Sequence, residues 1–213
     1  MNGCKLAECQ EEKDLGVLVS NNLKVGPQCN QAFQKANRML GLLKRMIDNK
    51  TSHIMLSLYK SLVRPHVEYC VSAWSPRYIK DKDKFDIQHK FTRLIPGMQK
   101  LSYMERLAKL NLWSLEERRN RSDLIEVFKM AKNLSPIPLT KFFELNTDNR
   151  TRGHSFKLVK HRCNCEVRRH FFSERVVNRW NMFDQDTISA KTVNGFKSKL
   201  ELERKRKMGL FLD

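Results

Sequence analysis

The chain has 213 residues, 40% of them hydrophobic, and its 41 lysines and arginines outnumber its 23 acidic side chains to give a net charge of +18. This length suits one or two domains, and the apolar content is sufficient for a buried core, which excludes a chain that is disordered throughout. Eight glycines and six prolines favour long helices over the turn-rich alternation of an all-β protein. A folded body this positive favours a polyanionic partner, so we expect nucleic acid, with an anionic membrane surface as the weaker alternative.

Neither a membrane span nor a signal peptide is expected. The longest apolar runs, at Leu15–Val19 and Met39–Leu43, are far shorter than the ~20 residues that a spanning helix needs. The N-terminal residues lack the apolar core of a signal peptide, so we expect a nuclear or cytoplasmic protein that is not secreted and has no membrane partner. The cysteines, Cys4, Cys9, Cys29, Cys70, Cys163 and Cys165, are therefore predicted to be free thiols. Cys29 and Cys70 have apolar neighbours in sequence and are predicted to be buried.

A short β segment comes first. Residues 13–20 form a β-branched run that ends at Asn21-Asn22, which predicts a strand, a turn, and a return strand or loop from Leu23. Because a lone strand needs a pairing partner, we expect the rest of its sheet upstream of this sequence.

From Pro27 the hydrophobic period becomes that of a helix. The apolar face of this first helix consists of Cys29, Ala32, Phe33, Ala36, Leu40, Leu43 and Ile47, and Arg38 and Arg45 fall on the opposite side. A second helix, capped by Thr51 or Ser52, is predicted to bury Ile54, Leu58 and Leu62, with Met55 and Tyr59 alongside, and to end or kink at Pro65. A further helix is expected from His66 to Trp74.

The next helices have clear start signals. Asp81 is predicted to open a short helix that buries Phe85, Ile87, Phe91 and Ile95 and ends at Pro96-Gly97. Two capping boxes follow, Ser102-x-x-Glu105 and Ser114-x-x-Glu117, and the second starts a long helix that reaches about Leu134. Its predicted buried stripe consists of Leu124, Val127, Phe128 and Ala131.

The segment Ser135-Pro136-Ile137-Pro138 marks the clearest boundary. Residues 154–160 and 163–167 are expected to be extended and to form a hairpin, and a helix over 168–183 places Phe172, Val176, Trp180 and Phe183 inward. The last helix is predicted over 192–206. We therefore predict a mainly α fold in three parts: 1–27, an N-terminal extension with a short β segment; 28–134, a helical bundle; and 135–213, a basic subdomain with a small β hairpin and C-terminal helices.

Catalytic patterns are absent from the sequence. Two-metal polymerase or nuclease chemistry needs paired carboxylates that hold ions about 3.5–4 Å apart, and the chain contains no Asp-Asp dipeptide. Asp81-x-Asp83 is interpreted as a solvated helix start and Asp184-x-Asp186 as part of a loop. There is no phosphate-binding glycine loop and no GxSxG nucleophile turn. We therefore predict that the chain is not an enzyme and uses no cofactor and no small-molecule substrate.

His161-x-Cys163-x-Cys165 has the residue types that zinc prefers, and on a strand the three side chains would share a face. The spacing matches none of the usual zinc motifs, and no second pair lies close in sequence. We predict no metal here.

Residues 149–171 hold the densest positive charge, with seven basic side chains against one acid, Glu166. Phe156 and three histidines are interleaved with them. Cationic side chains neutralise phosphates and aromatic faces stack on unpaired bases, so we predict salt-dependent, sequence-tolerant nucleic-acid binding here, with an ordinary solvated surface as the alternative. On the following helix Arg168, Arg175 and Arg179 are predicted to share one edge that could lie along a nucleic-acid backbone.

Five stretches of the sequence, in this order, are similar to segments of one protein family. They are KDLGVLV (13–19), CNQAFQKANRMLGLLKR (29–45), LYKSLVRPHVEYCVSAWSP (58–76), RTRGHSF (150–156) and VVNRWN (176–181). Together they resemble the reverse transcriptases of LINE-type, jockey-like non-LTR retrotransposons. The first resembles the strand near the end of the palm, the next two the helices of the thumb, and the last two the segment C-terminal to the thumb. The similarity covers about residues 13–200.

The resemblance implies a nucleic-acid-binding part of an RNA-directed DNA polymerase that lacks the catalytic residues, because the family's aromatic-x-Asp-Asp metal site has no counterpart in this sequence. It also implies RNA or an RNA–DNA duplex as the partner, together with a separate palm domain. In the thumb-like part the expected nucleic-acid-binding residues are Lys35, Arg38, Arg45 and Arg64. In the C-terminal part they are Arg150, Arg152, Lys157, Lys160, Arg162, Arg168, Arg169, Arg175 and Arg179.

Two alternatives stay open at this point. A host could retain the helical bundle as a protein-interaction module, in which case a partner protein would cover the surfaces around Leu15–Val19 and the first helix. The chain could also be a translated retrotransposon remnant without a selected function.

Overall fold

The computed structural model describes residues 8–84, 86–146, 153–207 and 209–212, and it is mainly helical, as predicted. Two compact units divide the chain. The first comprises residues 8–70 and Trp74–Leu112, and the second comprises Val71–Ala73 and the described residues from Trp113 onward. This division at Leu112 falls inside the predicted domain 28–134. In the described part of the chain, no helix combines the length and apolar composition needed to cross a membrane.

The elements are short apart from three helices. Up to Leu112 they are β1 (Glu11–Asp14), β2 (Val17–Ser20), α1 (Gly26–Met46), α2 (Ser52–Leu58), a π-helical turn (Tyr59–Val63), α3 (Arg64–Glu68), α4 (Val71–Trp74), α5 (Ile79–Lys84), α6 (Ile87–Arg93) and α7 (Tyr103–Lys109). From Trp113 onward they are α8 (Leu115–Ala131), a 3-10 turn (Leu139–Lys141), α9 (Glu166–Arg169), α10 (Phe172–Arg175), α11 (Val177–Asn181), α12 (Gln185–Ile188) and α13 (Val193–Arg206).

The prediction of one strand over residues 13–20 is wrong, because this segment holds the turn and second strand of a hairpin. β1 pairs with β2 in antiparallel register, with Asp14 opposite Val17. The two loop residues, Leu15 and Gly16, have φ of +43° and +87°, as a tight two-residue hairpin turn requires. Asparagine or glycine usually occupies such positions, so Leu15 gave no signal of a turn in the sequence. The hairpin therefore contains the pairing partner that was expected upstream.

α1 confirms the predicted first helix. Its buried apolar residues are Cys29, Ala32, Ala36, Leu40 and Leu43, and Arg38 and Arg45 are exposed. The buried amide of Gln28 fastens β2 to this helix, since its Oε1 accepts the Leu18 backbone N–H at 2.8 Å. The hairpin and α1 thus form one packed layer of the first unit.

The predicted buried face of the second helix is wrong by one position. Met55, Tyr59, Val63 and Val67 are fully buried, whereas Ile54 and Leu62 are each 39% exposed. These four residues are spaced four apart, which exceeds the 3.6 residues per turn of an α-helix. Because a π-helical turn contains more residues than an α turn, it keeps their side chains on one face. In this turn Arg64 donates its backbone N–H to Tyr59 O, five residues back. Pro65 has no N–H to donate, so it is tolerated in the first turn of α3.

Other predictions for the first unit are partly confirmed. The helix expected from His66 to Trp74 is interrupted at Cys70, which has φ of +50° and is exposed, so its predicted burial is wrong. Cys29 is buried, as predicted. Of the residues assigned to the helix after Asp81, Ile87, Phe91 and Ile95 are buried and Phe85 lies outside the described residues. The Phe91 ring stacks on Tyr59 with a centroid distance of 4.1 Å.

Both predicted capping boxes are present. The Oγ atoms of Ser102 and Ser114 accept backbone N–H groups three residues later, at 3.4 and 3.2 Å. The second box begins α8, which ends at Ala131 rather than near Leu134. Leu124, Val127 and Phe128 of α8 are fully buried. Phe128 stacks on Phe196 of α13 at 4.2 Å, which places these two helices at the centre of the second unit.

The prediction of one helix over residues 168–183 is wrong, because this segment forms α9, α10 and α11. The chain becomes extended at Phe171, the N-cap of α10, and turns again at Val176. The four side chains predicted to face inward, Phe172, Val176, Trp180 and Phe183, are nevertheless buried. The small β hairpin of the fold is the one at residues 11–20. Residues 163–167 are not a strand, and in this region the described residues form an isolated bridge between Leu145 and Leu158.

Candidate nucleic-acid interface

In the first unit, the predicted cations lie on the solvent side of α1. Lys35, Arg38 and Arg45 are exposed, and their positions in the helix place them on one broad face. The Lys35 ammonium donates to Gln31 Oε1 at 3.1 Å. Arg64 is half-buried in α3 and forms an ion pair with Glu68, with its Nε 3.6 Å from the carboxylate. Lys35 borders a cavity of about 320 Å³, and Arg38 and Arg45 are not among the residues that line it.

In the second unit, a cavity of about 810 Å³ brings together five of the predicted cations. They are Lys160, Arg162, Arg169, Arg175 and Arg179. Lys207 adds a sixth basic side chain, and His161 and His170 also face the cavity. The lining that the structure describes contains no acidic side chain. A concave wall of one charge raises the local concentration of counter-ions more than a flat surface does.

The short helices explain how distant parts of the chain reach one cavity. Because α9, α10 and α11 change direction at Phe171 and Val176, Arg169 and Arg179 border the same space. Arg169 donates from Nη2 to Cys163 O at 3.3 Å. Arg179 donates from Nη2 to Leu212 O at 3.2 Å. These bonds hold the extended segment 160–163 and the tail residues 209–212 at the rim.

Three of the cations form ion pairs with buried carboxylates. Arg175 binds Asp123 through Nε–Oδ2 at 2.8 Å and Nη2–Oδ1 at 3.0 Å. Ser72 donates its hydroxyl to the same carboxylate at 2.9 Å. Burial raises the pKa of Asp123, and the facing guanidinium opposes that shift. Arg175 also donates to the backbone carbonyls of Val71 and Ser72 at 3.2 and 3.1 Å, so it fixes the inserted segment Val71–Ala73 within this unit.

Glu174 and Glu203 are the other two buried acids that form ion pairs with cations of the cavity. Glu174, which is 2% exposed, lies 3.6 Å from the Lys160 ammonium and 3.4 Å from Arg168. Glu203, also 2% exposed, lies 2.8 Å from the Lys207 ammonium. Fixed carboxylates thus reduce the mutual repulsion of the cations around the cavity.

Arg162 and Arg169 differ from these paired cations. Both are exposed and line the cavity. Within residues 8–84, 86–146, 153–207 and 209–212, neither of them forms an ion pair with a carboxylate. Their charges are therefore the most available to an anionic ligand.

One part of the cavity wall is apolar. Met182 and Leu212 line it while 59% and 45% exposed, and Leu210 packs beside them at 7% exposure. Cations border this wall directly, because Lys207 donates to Met182 O at 3.1 Å and Arg179 to Leu212 O. The cavity therefore presents apolar and cationic groups side by side.

The remaining predicted residues lie outside the cavity lining. Lys157 packs over Gly153, where an added Cβ would lie 2.2 Å from Lys157 Cε; Gly153 also has φ of +141°, so a side chain there would be strained. Arg168 pairs with Glu174 and lies 5.7 Å from the centre of the Phe171 ring. Arg150 and Arg152 fall outside the described residues. The expected shared edge of Arg168, Arg175 and Arg179 on one helix does not form, because the three residues belong to three helices.

The fold accounts for the positions of the acidic and cysteine motifs found in the sequence. Asp81 is 1% exposed rather than solvated, and its carboxylate lies 3.6 Å from where a Cβ on Gly26 would be. Asp184 caps α12, and the Thr187 N–H that it accepts lowers its pKa. Cys163 is a free thiol. Among the residues with described positions, no three His, Cys, Asp or Glu side chains are grouped to hold a metal ion.

Sequence reasoning missed Lys207 and the apolar wall of the cavity, whereas His161 and His170 belong to the basic, histidine-containing segment 149–171. The one available signal for Lys207 was the basic run Arg204-Lys205-Arg206-Lys207 at the C-terminal end of the last predicted helix. Comparison of the chain with protein-family models, with curated proteins and with solved structures gives no match.

Proposed function

We propose that this chain is a non-catalytic, nucleic-acid-binding part of a non-LTR retrotransposon reverse transcriptase, and that it acts in the nucleus or cytoplasm. In this proposal the cavity of the second unit grips the phosphate backbone of RNA or of a template–primer duplex. The observation that carries the proposal is the convergence of six basic side chains on a cavity whose described lining holds no acid. The resemblance of five sequence stretches to the palm end, thumb and C-terminal segment supplies the family.

The chemistry of the cavity suits phosphodiesters. Guanidinium groups bind phosphate oxygens through two parallel N–H donors, and Arg162 and Arg169 are the two available arginines of the lining. Fixed partners such as Asp123 hold the surrounding side chains in place before a ligand arrives. Binding to a preformed site loses less side-chain entropy.

A titration of the full chain tests this proposal. The affinity for a structured RNA and for an RNA–DNA duplex would be measured by fluorescence anisotropy at two salt concentrations. Neutralising about four phosphates predicts a loss of about 100-fold in affinity between about 50 and 200 mM salt. Binding that is absent or insensitive to salt would contradict the proposal.

Alkylation of Cys163 locates the binding site independently. This thiol lines the cavity and is partly exposed, while Cys9 and Cys70 are exposed in the first unit. Bound RNA should slow the reaction of Cys163 with a maleimide and leave Cys9 and Cys70 unchanged, as read by mass spectrometry of the labelled peptides. Equal protection of all three thiols would place the nucleic acid elsewhere.

A second candidate, a protein-interaction module, is favoured by the hairpin. Leu15, Val19 and Leu23 are 83%, 44% and 60% exposed in one short segment. Exposed apolar side chains grouped in this way mark protein contacts. A pull-down that survives nuclease treatment and is lost in a Leu15→Ser/Leu23→Ser variant would support this candidate.

A further inference from the structure

The cavity of the second unit differs from a plain phosphate-binding surface because it has an apolar wall. Met182 and Leu212, which are 59% and 45% exposed, line the cavity together with its six basic side chains. Phosphate groups gain nothing from such a wall. A ligand that fits the whole lining must carry negative charge and an apolar face within a few ångströms of each other.

Double-stranded and single-stranded nucleic acids differ in whether they can present a base and a phosphate to the same site. A duplex keeps its bases stacked inside and presents phosphates and sugars to a protein surface. A single strand can turn a base outward and stack it on apolar, aromatic or guanidinium surfaces while its phosphates contact cations. Lys207 lies beside Met182, and Arg179 lies beside Leu212. An unstacked nucleotide likewise has an apolar base next to a charged phosphate.

We propose that this cavity binds unstacked nucleotides of a single-stranded nucleic acid. The base packs against Met182 and Leu212, and the flanking phosphates contact Arg162 and Arg169. Methionine suits this role because its flexible thioether makes favourable contacts with aromatic rings. The volume of about 810 Å³ lies within the range of about 300–1,000 Å³ in which ligands of nucleotide size are held. This inference rests on the proposed function and adds to it a preference for single strands over duplexes.

An abasic strand separates the contribution of the bases from that of the phosphates. The full chain would be titrated with three labelled ligands of equal length, about 12 nucleotides, which is the site size of typical single-strand binding modules. The ligands are an oligouridylate, an abasic phosphodiester strand and a blunt duplex. We expect the oligouridylate to bind about tenfold more tightly than the abasic strand and more tightly than the duplex.

A methionine variant assigns this preference to the cavity wall. Met182→Ala should weaken oligouridylate binding about threefold to fivefold and leave binding of the abasic strand unchanged. Met104→Ala is the matched control, because Met104 is 65% exposed on α7 of the first unit. It should change neither affinity.

The outcomes separate this inference from the proposed function. If the abasic strand or the duplex binds as tightly as the oligouridylate, with strong salt dependence, base binding is wrong and phosphate binding stands. If none of the three ligands binds, the proposed function is itself wrong. The comparison among ligands uses the unaltered chain, so it does not depend on how any variant folds.

Discussion

The two units carry their predicted nucleic-acid-binding cations in different ways. In the first unit Lys35, Arg38 and Arg45 extend from α1 into solvent. In the second unit five predicted cations converge on one cavity, and buried carboxylates stand behind it. The sequence gives both units the same excess of positive charge, +9 over residues 1–70 and 74–112 and +9 over residues 71–73 and 113–213. The number of charges therefore does not distinguish the two surfaces, whereas their placement does.

This difference affects how strongly each surface attracts an anionic ligand. Exposed charges on a helix are screened over about 8–10 Å at ordinary salt concentrations, so each contributes little. Cations gathered in a recess reinforce one another, but their repulsion must be offset for the fold to hold them there. Asp123, Glu174 and Glu203 supply that offset from the protein side. The second unit is thus built to keep cations close together before any polyanion binds.

The largest expected effect comes from the buried pair that supports the cavity. Arg175→Met leaves Asp123 buried without its partner, which should lower the free energy of unfolding by about 3–5 kcal/mol in urea titrations. Because burial raises the pKa of Asp123, the lone carboxyl can take up a proton, and the loss should shrink as the pH falls.

Two variants serve as controls for this pair. Asp123→Leu/Arg175→Met removes both charges and should recover much of the lost stability. Arg64→Met breaks the Arg64–Glu68 pair of the first unit, whose side chains are each 22% exposed, and should cost less than about 1 kcal/mol. Equal losses for Arg175→Met and Arg64→Met would contradict the distinction between the two units.

The next effect compares nucleic-acid binding by charge-matched variants. Arg162→Gln/Arg169→Gln removes two charges from the cavity, and Arg38→Gln/Arg45→Gln removes two from α1. The cavity variant should lower RNA affinity about 30-fold and reduce the slope of log affinity against log salt by about 2. The α1 variant should lower affinity no more than about threefold, because its charges are solvated and dispersed. The reverse order, measured by anisotropy at matched salt, would show that α1 is the main interface.

Most of the fold could be predicted because its helices repeat hydrophobic residues at helical spacing. α1, the two capping boxes and the inward aromatic residues of 172–183 follow from such patterns. The errors share one cause, since each depends on a backbone feature that leaves the residue types unchanged. Leu15 hides a turn, the π turn at Tyr59–Val63 continues a buried face that repeats every four residues, and Phe171 splits a helix.

The candidate site could be predicted only where its residues are close in sequence. The basic density of 149–171 indicated Lys160, Arg162 and Arg169, which line the cavity. Arg175 was expected to face a ligand, but its guanidinium contacts Asp123, which lies 52 residues away. Lys207 and the apolar wall join the cavity through tertiary contacts. Pairings at this distance in sequence leave no periodic signal to read.

Stability at acid pH should depend on His154 of the second unit. Its Nδ1 accepts the Phe156 N–H at 3.2 Å, so Nε2 carries the proton that it shares with Trp180 O at 3.0 Å, and the ring is neutral. Burial lowers the pKa of His154. Because the unfolded chain then binds the proton at a higher pH, this stability is complete above about pH 6.5 and is lost as the pH falls towards the folded pKa.

The slope of this loss is at most about 1.4 kcal/mol per pH unit, and urea titrations on either side of about pH 6.5 would measure it. His154→Gln should flatten the profile. His89 of the first unit is the matched control, since burial lowers its pKa too but its side chain is 27% exposed beside Asp86. His89→Gln should change the profile less. An unchanged profile in His154→Gln would mean that another group titrates.

The smallest expected effect distinguishes the capping boxes of the two units. Ser114→Ala removes the cap of α8 and should cost about 1 kcal/mol, because the partner Glu117 also binds Arg204 of α13 through contacts of 2.8 and 3.0 Å. Losing the cap therefore loosens a carboxylate that joins two helices. Ser102→Ala should cost less, since the Ser102–Glu105 box lies in solvent at a longer distance of 3.4 Å. Ser114→Thr, which keeps the hydroxyl, should stay close to the unaltered chain in urea titrations. If Ser102→Ala is the more damaging change, then the link from Glu117 to Arg204 adds nothing to the cap.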